Sequence, residues 1–369
     1  MNKLTDHSIK ASIGPININI DSSSSKKNIF IDELWDTTFE DPDLTIRLVP
    51  NRDSIDFSPA YSIAKGFIQF GENSYLVNKP IPYMFSNAFD AHSSELFITT
   101  QSSKIAKLVT LIRKMYLFEN NSFSRYIMNY SLFWSVIQLM LLKKNSSFFH
   151  ASVLSCDNES IAITGTGGAG KTSILFSLLD DSKYTYQSED FGIINTSGIT
   201  YSSPKKLSIY RSDLQSGSLL STYFQNLNWH QNLRWNVSQK IFKRDPMIKA
   251  KVVDVLGERV THQSQLKTII FIARITDEAI RHAHINSQEM AHRVASASIR
   301  EFKQQTEILQ LISANKPKNY EYPTSNQLFD KMVNIYLQAF KDVDCVLLEV
   351  PYYLSSQDIV IYLKNRELL

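Results

Sequence analysis

Apolar positions along this chain change rhythm near residue 148. Before it, from Leu44 to Thr100, they come in short alternating runs at Leu44–Val49, 66–70, Ser74–Val77 and 95–100, separated by Asn, Asp, Gly and Pro. That is the pattern of strands joined by turns. Helical periodicity follows over residues 104–119 and 123–142. After it, residues 148–154 read as a strand, Cys156-Asp157-Asn158 as a polar turn, and 160–164 as a second strand entering a glycine-rich loop. Lys171–Leu179 continues as a helix, with further strands predicted at 184–187, 191–195, 266–275 and 345–350, and helices at 287–303 and 327–340. No segment repeats at a fixed period, which excludes a solenoid. Mixed strands and helices predict an α/β (α+β) protein. Residues 1–30, with a serine run at 22–25 followed by Lys26-Lys27, read as a poorly ordered start, 31–145 as a β-rich domain with two helices, and 146–369 as the main domain.

Composition narrows this picture by exclusion. The chain has 369 residues, 43% of them hydrophobic, enough to bury the cores of two domains. A net charge of +3 with no basic stripe argues against a nucleic-acid partner. Cys156 and Cys345 are the only cysteines, too few for a disulfide framework or a cysteine-based zinc site. The most apolar stretch, 126–142, carries Asn129, Ser131, Ser135 and Gln138, and reads as a buried helix rather than a membrane span. Residues 1–10 lack the apolar core of a signal peptide, so the expected location is cytoplasmic.

The strongest chemical signal is Gly165-Thr166-Gly167-Gly168-Ala169-Gly170-Lys171-Thr172, followed by Ser173. It matches G-x-x-x-x-G-K-[ST], the phosphate-binding loop of nucleoside triphosphate enzymes. Four of the chain's 11 glycines fall between Gly165 and Gly170, a concentration that a plain surface turn does not need. An apolar strand precedes the loop, and an amphipathic run of Ile174, Leu175, Leu178 and Leu179 follows it. In such a loop backbone N–H groups turn inward onto phosphate oxygens, and the helix N-terminus adds partial positive charge. Lys171 is expected to reach the β- and γ-phosphates and the Thr172 hydroxyl to ligate Mg²⁺. Asn78-Lys79-Pro80 lacks the Asp that follows Asn-Lys in guanine-specific proteins, so the expected nucleotide is ATP.

Glu189 and Asp190 close the strand predicted after this helix. In a parallel strand–helix–strand unit, the carboxyl end of the second strand lies beside the phosphate site. One carboxylate can then face the phosphates while the other braces the loop, or one can hold Mg²⁺ while the other takes a proton from an attacking hydroxyl. His150 opens the strand before the loop; by position alone it reads as a core or edge residue.

The segments Phe149-His150-Ala151-Ser152-Val153-Leu154, Ile161-Ala162-Ile163-Thr164-Gly165, Gly170-Lys171-Thr172 and Ser188-Glu189-Asp190-Phe191 together resemble the HPr kinase/phosphorylase superfamily, whose core is related to phosphoenolpyruvate carboxykinase. The resemblance spans His150 to Asn195. It implies a P-loop kinase core of the HPr kinase type that uses Mg²⁺-ATP to phosphorylate a serine-type hydroxyl. The acceptor it implies is a peptide, a protein or a small molecule, in a peptide-modification or polysaccharide pathway. It implies Glu189 as base, Asp190 with Thr172 as metal ligands, and His150 as the residue that orients the base. Family members form hexamers, so a homo-oligomer is an expectation from the same source. The family's acid pair is usually two aspartates, whereas Glu189 stands first here, and its downstream glycine-rich signature is missing. Phosphorylase activity and HPr as acceptor are therefore not expected.

Among the basic residues Lys205, Lys206, Arg211, Arg234, Lys243, Arg244 and Arg274, Arg211 is the favoured phosphate clamp because it follows a predicted strand at 204–210. Val252-Val253-Asp254 and Val346-Leu347-Leu348-Glu349 are weaker candidates for a metal-binding strand end. His282, His284 and His292 near Glu289 read as surface residues. Two other function classes remain: a nucleotide-dependent switch that hydrolyses ATP slowly or not at all, and a ligase that makes an acyl-phosphate.

Overall fold

The computed structural model describes residues 7–22, 34–49, 60–64, 67–70, 74–77, 83–86, 93–99, 134–210, 214, 219–227, 247–301, 310, 314 and 324–369. The helix expected over 104–119 and the candidates Arg211, Arg234, Lys243 and Arg244 lie outside them. The chain divides into two compact units, 1–145 with 302–331, and 146–301 with 332–369.

In the first unit, β1 (His7–Ile13) and β2 (Ile16–Ser22) form a hairpin. Of the start expected to be poorly ordered, residues 7–22 thus form paired strands, and the rest lies outside the described residues. Ala11, Ile13, Ile16, Ile18 and Ile20 alternate along the two strands and are all buried, a period of two that the surrounding polar residues mask. Gly14 and Pro15 make the two-residue turn. Gly14 has φ +54°, and the proline ring imposes a negative φ on the next position, the pairing a type II′ turn requires. The sheet continues through β3 (Trp35–Asp36), β4 (Leu44–Val49), β5 (Ala60–Ala64), β6 (Phe67–Phe70), β7 (Ser74–Val77), β8 (Tyr83–Ser86) and β9 (Ser94–Thr99), in the order β3-β1-β2-β4-β9-β8-β7-β6-β5. Pairing is parallel at β2–β4 and β4–β9 and antiparallel elsewhere. Helix α1 (Trp134–Lys143) is buried around its whole girth, from Trp134 and Ile137 to Leu142, with Gln138 enclosed as well. Among the described residues no helix is long and apolar enough to cross a membrane.

The second unit is a mixed α/β sheet with helices packed on it. The strand expected over 148–154 is two strands, β10 (Ser146–Phe149) and β11 (Ala151–Cys156), broken at His150. The first pairs β14 (Gly192–Asn195), and the second pairs β12 (Glu159–Gly165) and β13 (Thr185–Ser188). Asp157 and Asn158 both have positive φ, 51° and 65°, which suits the type I′ turn that closes the β11–β12 hairpin. After β12 come the glycine loop and α2 (Lys171–Leu179), whose Ile174, Leu175, Leu178 and Leu179 are buried. The rest of the chain supplies β15 (Ile199–Tyr201), β16 (Leu207–Tyr210), α3 (Leu219–Gln225), β17 (Met247–Ala250), α4 (Val252–Leu256), β18 (Gln263–Ile275), β19 (Arg281–His284), α5 (Ser287–Glu301), α6 (Ser325–Ala339), β20 (Asp344–Pro351) and α7 (Ser356–Asn365). Val252-Val253-Asp254 is thus helical, which removes it as a metal-binding strand.

Strand order is β10-β14-β15-β18-β12-β11-β13, with β20 parallel to β18 and β19 antiparallel to β20. The chain from β12 through α2 does not return to a neighbouring position, as the sequence pattern suggests; β11 lies between β12 and β13, antiparallel to both. Strands β12 and β13 still run in the same direction, so both carboxyl ends and the amino end of β11 meet at one edge. Buried along both faces, β12 reads as a continuous apolar run. In β18 the first residues alternate exposed and buried, and Ile269, Ile270, Phe271 and Ile272 are then buried in succession between β12 and β20.

Arg259 ties the far end of α2 to β13. Its Nη2 donates to the carbonyls of Leu179 (2.7 Å), Asp181 (2.9 Å) and Tyr184 (2.9 Å), so a cation satisfies carbonyls left over at a helix C-terminus. Replacing it strands those partly buried acceptors. Arg259→Met is expected to lower stability by about 2–4 kcal/mol in urea denaturation, with the m-value unchanged.

Candidate active site

Gly165 ends β12 where no side chain fits. Its φ is +146°, and a Cβ there would stand 2.6 Å from the Ile272 carbonyl oxygen of β18. Gly168 and Gly170 also take positive φ, 81° and 96°, and turn the chain back into α2. No side chain caps the N-terminus of α2, whose cap residue is Gly170 in the left-handed conformation, and no acidic residue occupies its first turn. A helix N-terminus built this way favours an anion. Lys171 is buried, and its Nζ donates to the loop's own carbonyls at Gly165 (3.3 Å) and Thr166 (3.2 Å). Arg274, one of the basic residues weighed as a phosphate clamp, holds the loop backbone. Its Nε donates to Ala169 O at 3.1 Å while Nη1 donates to Pro351 O and Leu354 O, each at 3.1 Å.

The acid pair follows β13 at the same edge. Glu189 is 2% exposed. Its Oε1 accepts the Thr172 hydroxyl at 3.2 Å, and its Oε2 accepts the Ser208 N–H of β16 at 3.0 Å. Asp190 sits in the left-handed region, φ +61°. Its Oδ2 accepts from Lys205 Nζ at 3.1 Å, and 31% of its side-chain surface remains exposed. Lys205 is itself buried and lies 4.3 Å above the Phe191 ring. His150, at the break between β10 and β11, places Nδ1 3.2 Å from the Asp190 carbonyl oxygen. A carbonyl only accepts, so Nδ1 carries the proton in this contact. The His150 backbone is anchored twice: its N–H donates to Ser298 Oγ at 2.9 Å, and its carbonyl accepts from Thr164 Oγ1 at 2.8 Å.

The two carboxyls have opposite electrostatics. Burial, reinforced by the Asp190 charge, pushes Glu189 up to about 7, against the pull of Lys205, the Ser208 N–H and the Thr172 hydroxyl. Burial is also the largest influence on Asp190 and acts in the same direction, but Lys205, His150 and Lys171 together outweigh it and hold its carboxyl below the usual range. The resemblance implies Glu189 as base and Asp190 with Thr172 at the metal. Thr172 bonds Glu189, and the carboxylate open to an incoming molecule is Asp190. Glu189 Oε1 and Thr172 Oγ1 are hard oxygen donors, and a buried carboxylate pushed up by burial gains most from a nearby cation. This set fits Mg²⁺, which beside phosphates needs only one or two protein oxygens.

Other sequence candidates are dispersed. His282 Nδ1 meets the Tyr362 hydroxyl at 2.8 Å, His284 meets Asp344 at 2.7 Å, and His292 is on α5. Among the described residues no three His, Cys, Asp or Glu converge as a metal cluster. Lys205 is the residue that sequence reasoning undervalued. It follows Pro204 with no motif to mark it, and only the chain reversal after β15 brings it to Asp190.

No protein-family model matches the chain, and a comparison with curated proteins finds no match. Among solved structures, it is similar to the Hpr(Ser) kinase/phosphatase from Coxiella burnetii, at 13% sequence identity over 60% of this chain and 97% of that chain, with a TM-score of 0.27. A likeness at that level decides nothing about activity, and what the site can do rests on its own contacts.

Proposed function

We propose that the protein is a Mg²⁺-ATP-dependent kinase acting on a serine-type hydroxyl of a peptide, protein or small molecule. The observation that carries this reading is the Thr172–Glu189 hydrogen bond. It joins the first turn of the helix after the glycine loop to a buried acid, with a second, accessible acid one residue later.

The amides of Gly167 to Lys171 and the α2 N-terminus receive the phosphates, and Lys171 exchanges its loop carbonyls for phosphate oxygens. Thr172 and Glu189 would hold Mg²⁺, which would supply positive charge beside the phosphates. Asp190 accepts the proton of the acceptor hydroxyl as the new O–P bond forms and the bond to the ADP oxygen breaks. Its depressed pKa keeps it ionised, hence able to accept, throughout the neutral range. His150 and Lys205 do not touch the reacting atoms in this scheme; they hold the Asp190 backbone and carboxylate in place. Phosphoryl transfer is mainly positioning and charge stabilisation, which suits a site made of fixed donors and two acids.

With γ-labelled ATP and hydroxyl-bearing peptides and small molecules, label is expected on an acceptor; label found only in free phosphate would support a switch instead. Asp190→Asn is expected to lower transfer by about 10²–10⁴ while nucleotide affinity, measured by calorimetry, stays within about twofold. Lys171→Met should remove most of the heat of nucleotide binding. The Glu189 carboxyl holds a proton below about pH 7 that a divalent ion must displace. Mg²⁺-dependent nucleotide affinity should therefore rise between pH 6 and pH 8 by about tenfold, and Glu189→Gln should flatten that rise. An unchanged pH profile in Glu189→Gln would remove Glu189 from the metal site.

A further inference from the structure

A cleft of about 490 Å³ opens beside the glycine loop, between it, β18 and the exposed face of α5. Its floor is Thr166, Gly167 and Phe271, and its wall carries His292, Arg293 and Arg300, on one face of α5. Arg293 is fixed in place: its Cζ stands 5.7 Å over the Phe271 ring, and Glu289 accepts from its Nε at 2.9 Å and its Nη2 at 2.7 Å. The sequence reading left α5 without a role beyond a surface histidine.

Two contacts orient this cleft. Thr166, which lines the cleft, also accepts from Lys171 Nζ through its carbonyl at 3.2 Å. Ser298, on the same helix as both arginines, accepts the His150 N–H, and His150 in turn reaches Asp190. The cleft therefore adjoins the loop half that precedes Lys171, while Ser298, on the buried side of α5, carries the helix's hydrogen bond to His150. Its volume falls in the range of small-ligand sites. Glu289 already takes the Nε and Nη2 of Arg293, which leaves its Nη1, with the Arg300 guanidinium, as donors suited to carboxylate or phosphate oxygens rather than to a neutral purine.

We infer that this cleft receives the phosphoryl acceptor and selects one that carries an anionic group, a carboxylate or a phosphate, beside its hydroxyl, with Arg293 and Arg300 as the specificity residues. The inference rests on the kinase reading for the word acceptor, but the anion preference of the cleft can be measured without turnover.

The experiment uses the full chain, with and without a non-hydrolysable ATP analogue and Mg²⁺. Calorimetry compares a short serine peptide flanked by glutamates with its glutamine counterpart, and glycerol 3-phosphate with glycerol. At least one anionic probe is expected to bind about tenfold or more tightly than its neutral partner, to weaken as salt rises, and to lose that advantage in Arg293→Gln/Arg300→Gln. The peptide pair and the glycerol pair separate the two sources of the anion. Both arginines lie on the helix surface, so the double variant should melt close to the parent, and Arg293→Lys/Arg300→Lys should restore part of the preference. Equal binding of charged and neutral probes, or no binding of either, overturns the inference. So does a double variant that loses affinity for the nucleotide analogue but not for the anion, because the cleft would then hold nucleotide. The analogue titration reports separately on the kinase reading: nucleotide heat without anion preference leaves that reading standing and removes only this one.

Discussion

A carboxylate removed from water must be surrounded by donors or cations, or it takes up a proton. Glu189 meets this constraint with one oxygen on the Thr172 hydroxyl and the other on the Ser208 N–H. Those two bonds join elements far apart in the chain: the first turn of α2, the end of β13 and the start of the β16–β17 ribbon. Neither bond alone neutralises the charge, which is why burial and Asp190 leave the carboxyl pushed up to about 7. A buried carboxyl in that state favours positive charge beside the Thr172 hydroxyl.

Asp190, its immediate neighbour, meets the opposite environment because of one backbone angle. A left-handed residue redirects its side chain, and a non-glycine residue accepts that conformation only when surrounding contacts compensate. Here they include Lys205 on its carboxylate and His150 on its carbonyl. Two adjacent carboxyls are therefore held in different chemical states, one buried and ready for a cation, the other ionised and open. Separated pKa values in a shared site are a physical route to separate roles.

The position of His150 follows from topology. Because β11 is interposed between β12 and β13, its amino end falls between the carboxyl ends of the two strands that supply the loop and the acids. The break at residue 150 lets β10 leave for β14 while β11 stays, and the hydroxyls of Ser298 and Thr164 hold the backbone of the break. Ser298 belongs to α5, the helix that also carries Arg293 and Arg300 on its more exposed side.

The glycine loop, the strand before it and the helix after it were legible in the amino-acid order, because all their determinants are local: consecutive apolar residues, glycines where φ turns positive, and a lysine and threonine in the helix's first turn. Most strands and helices of the second unit were legible for the same reason. The β1–β2 hairpin was hidden because its five buried side chains are small or spaced among polar ones, and the composition of the segment outweighs its alternation. The acid pair was visible as residues, but not the contrasting surroundings of its two carboxyls, since burial, a φ of +61° and the approach of Lys205 are decided by chain segments that arrive from elsewhere. Lys205, Arg274 and the arginines of α5 carry no local mark at all. Their meaning comes from long-range pairing, and a charged side chain acquires a role only when folding decides what lies within hydrogen-bond reach of it.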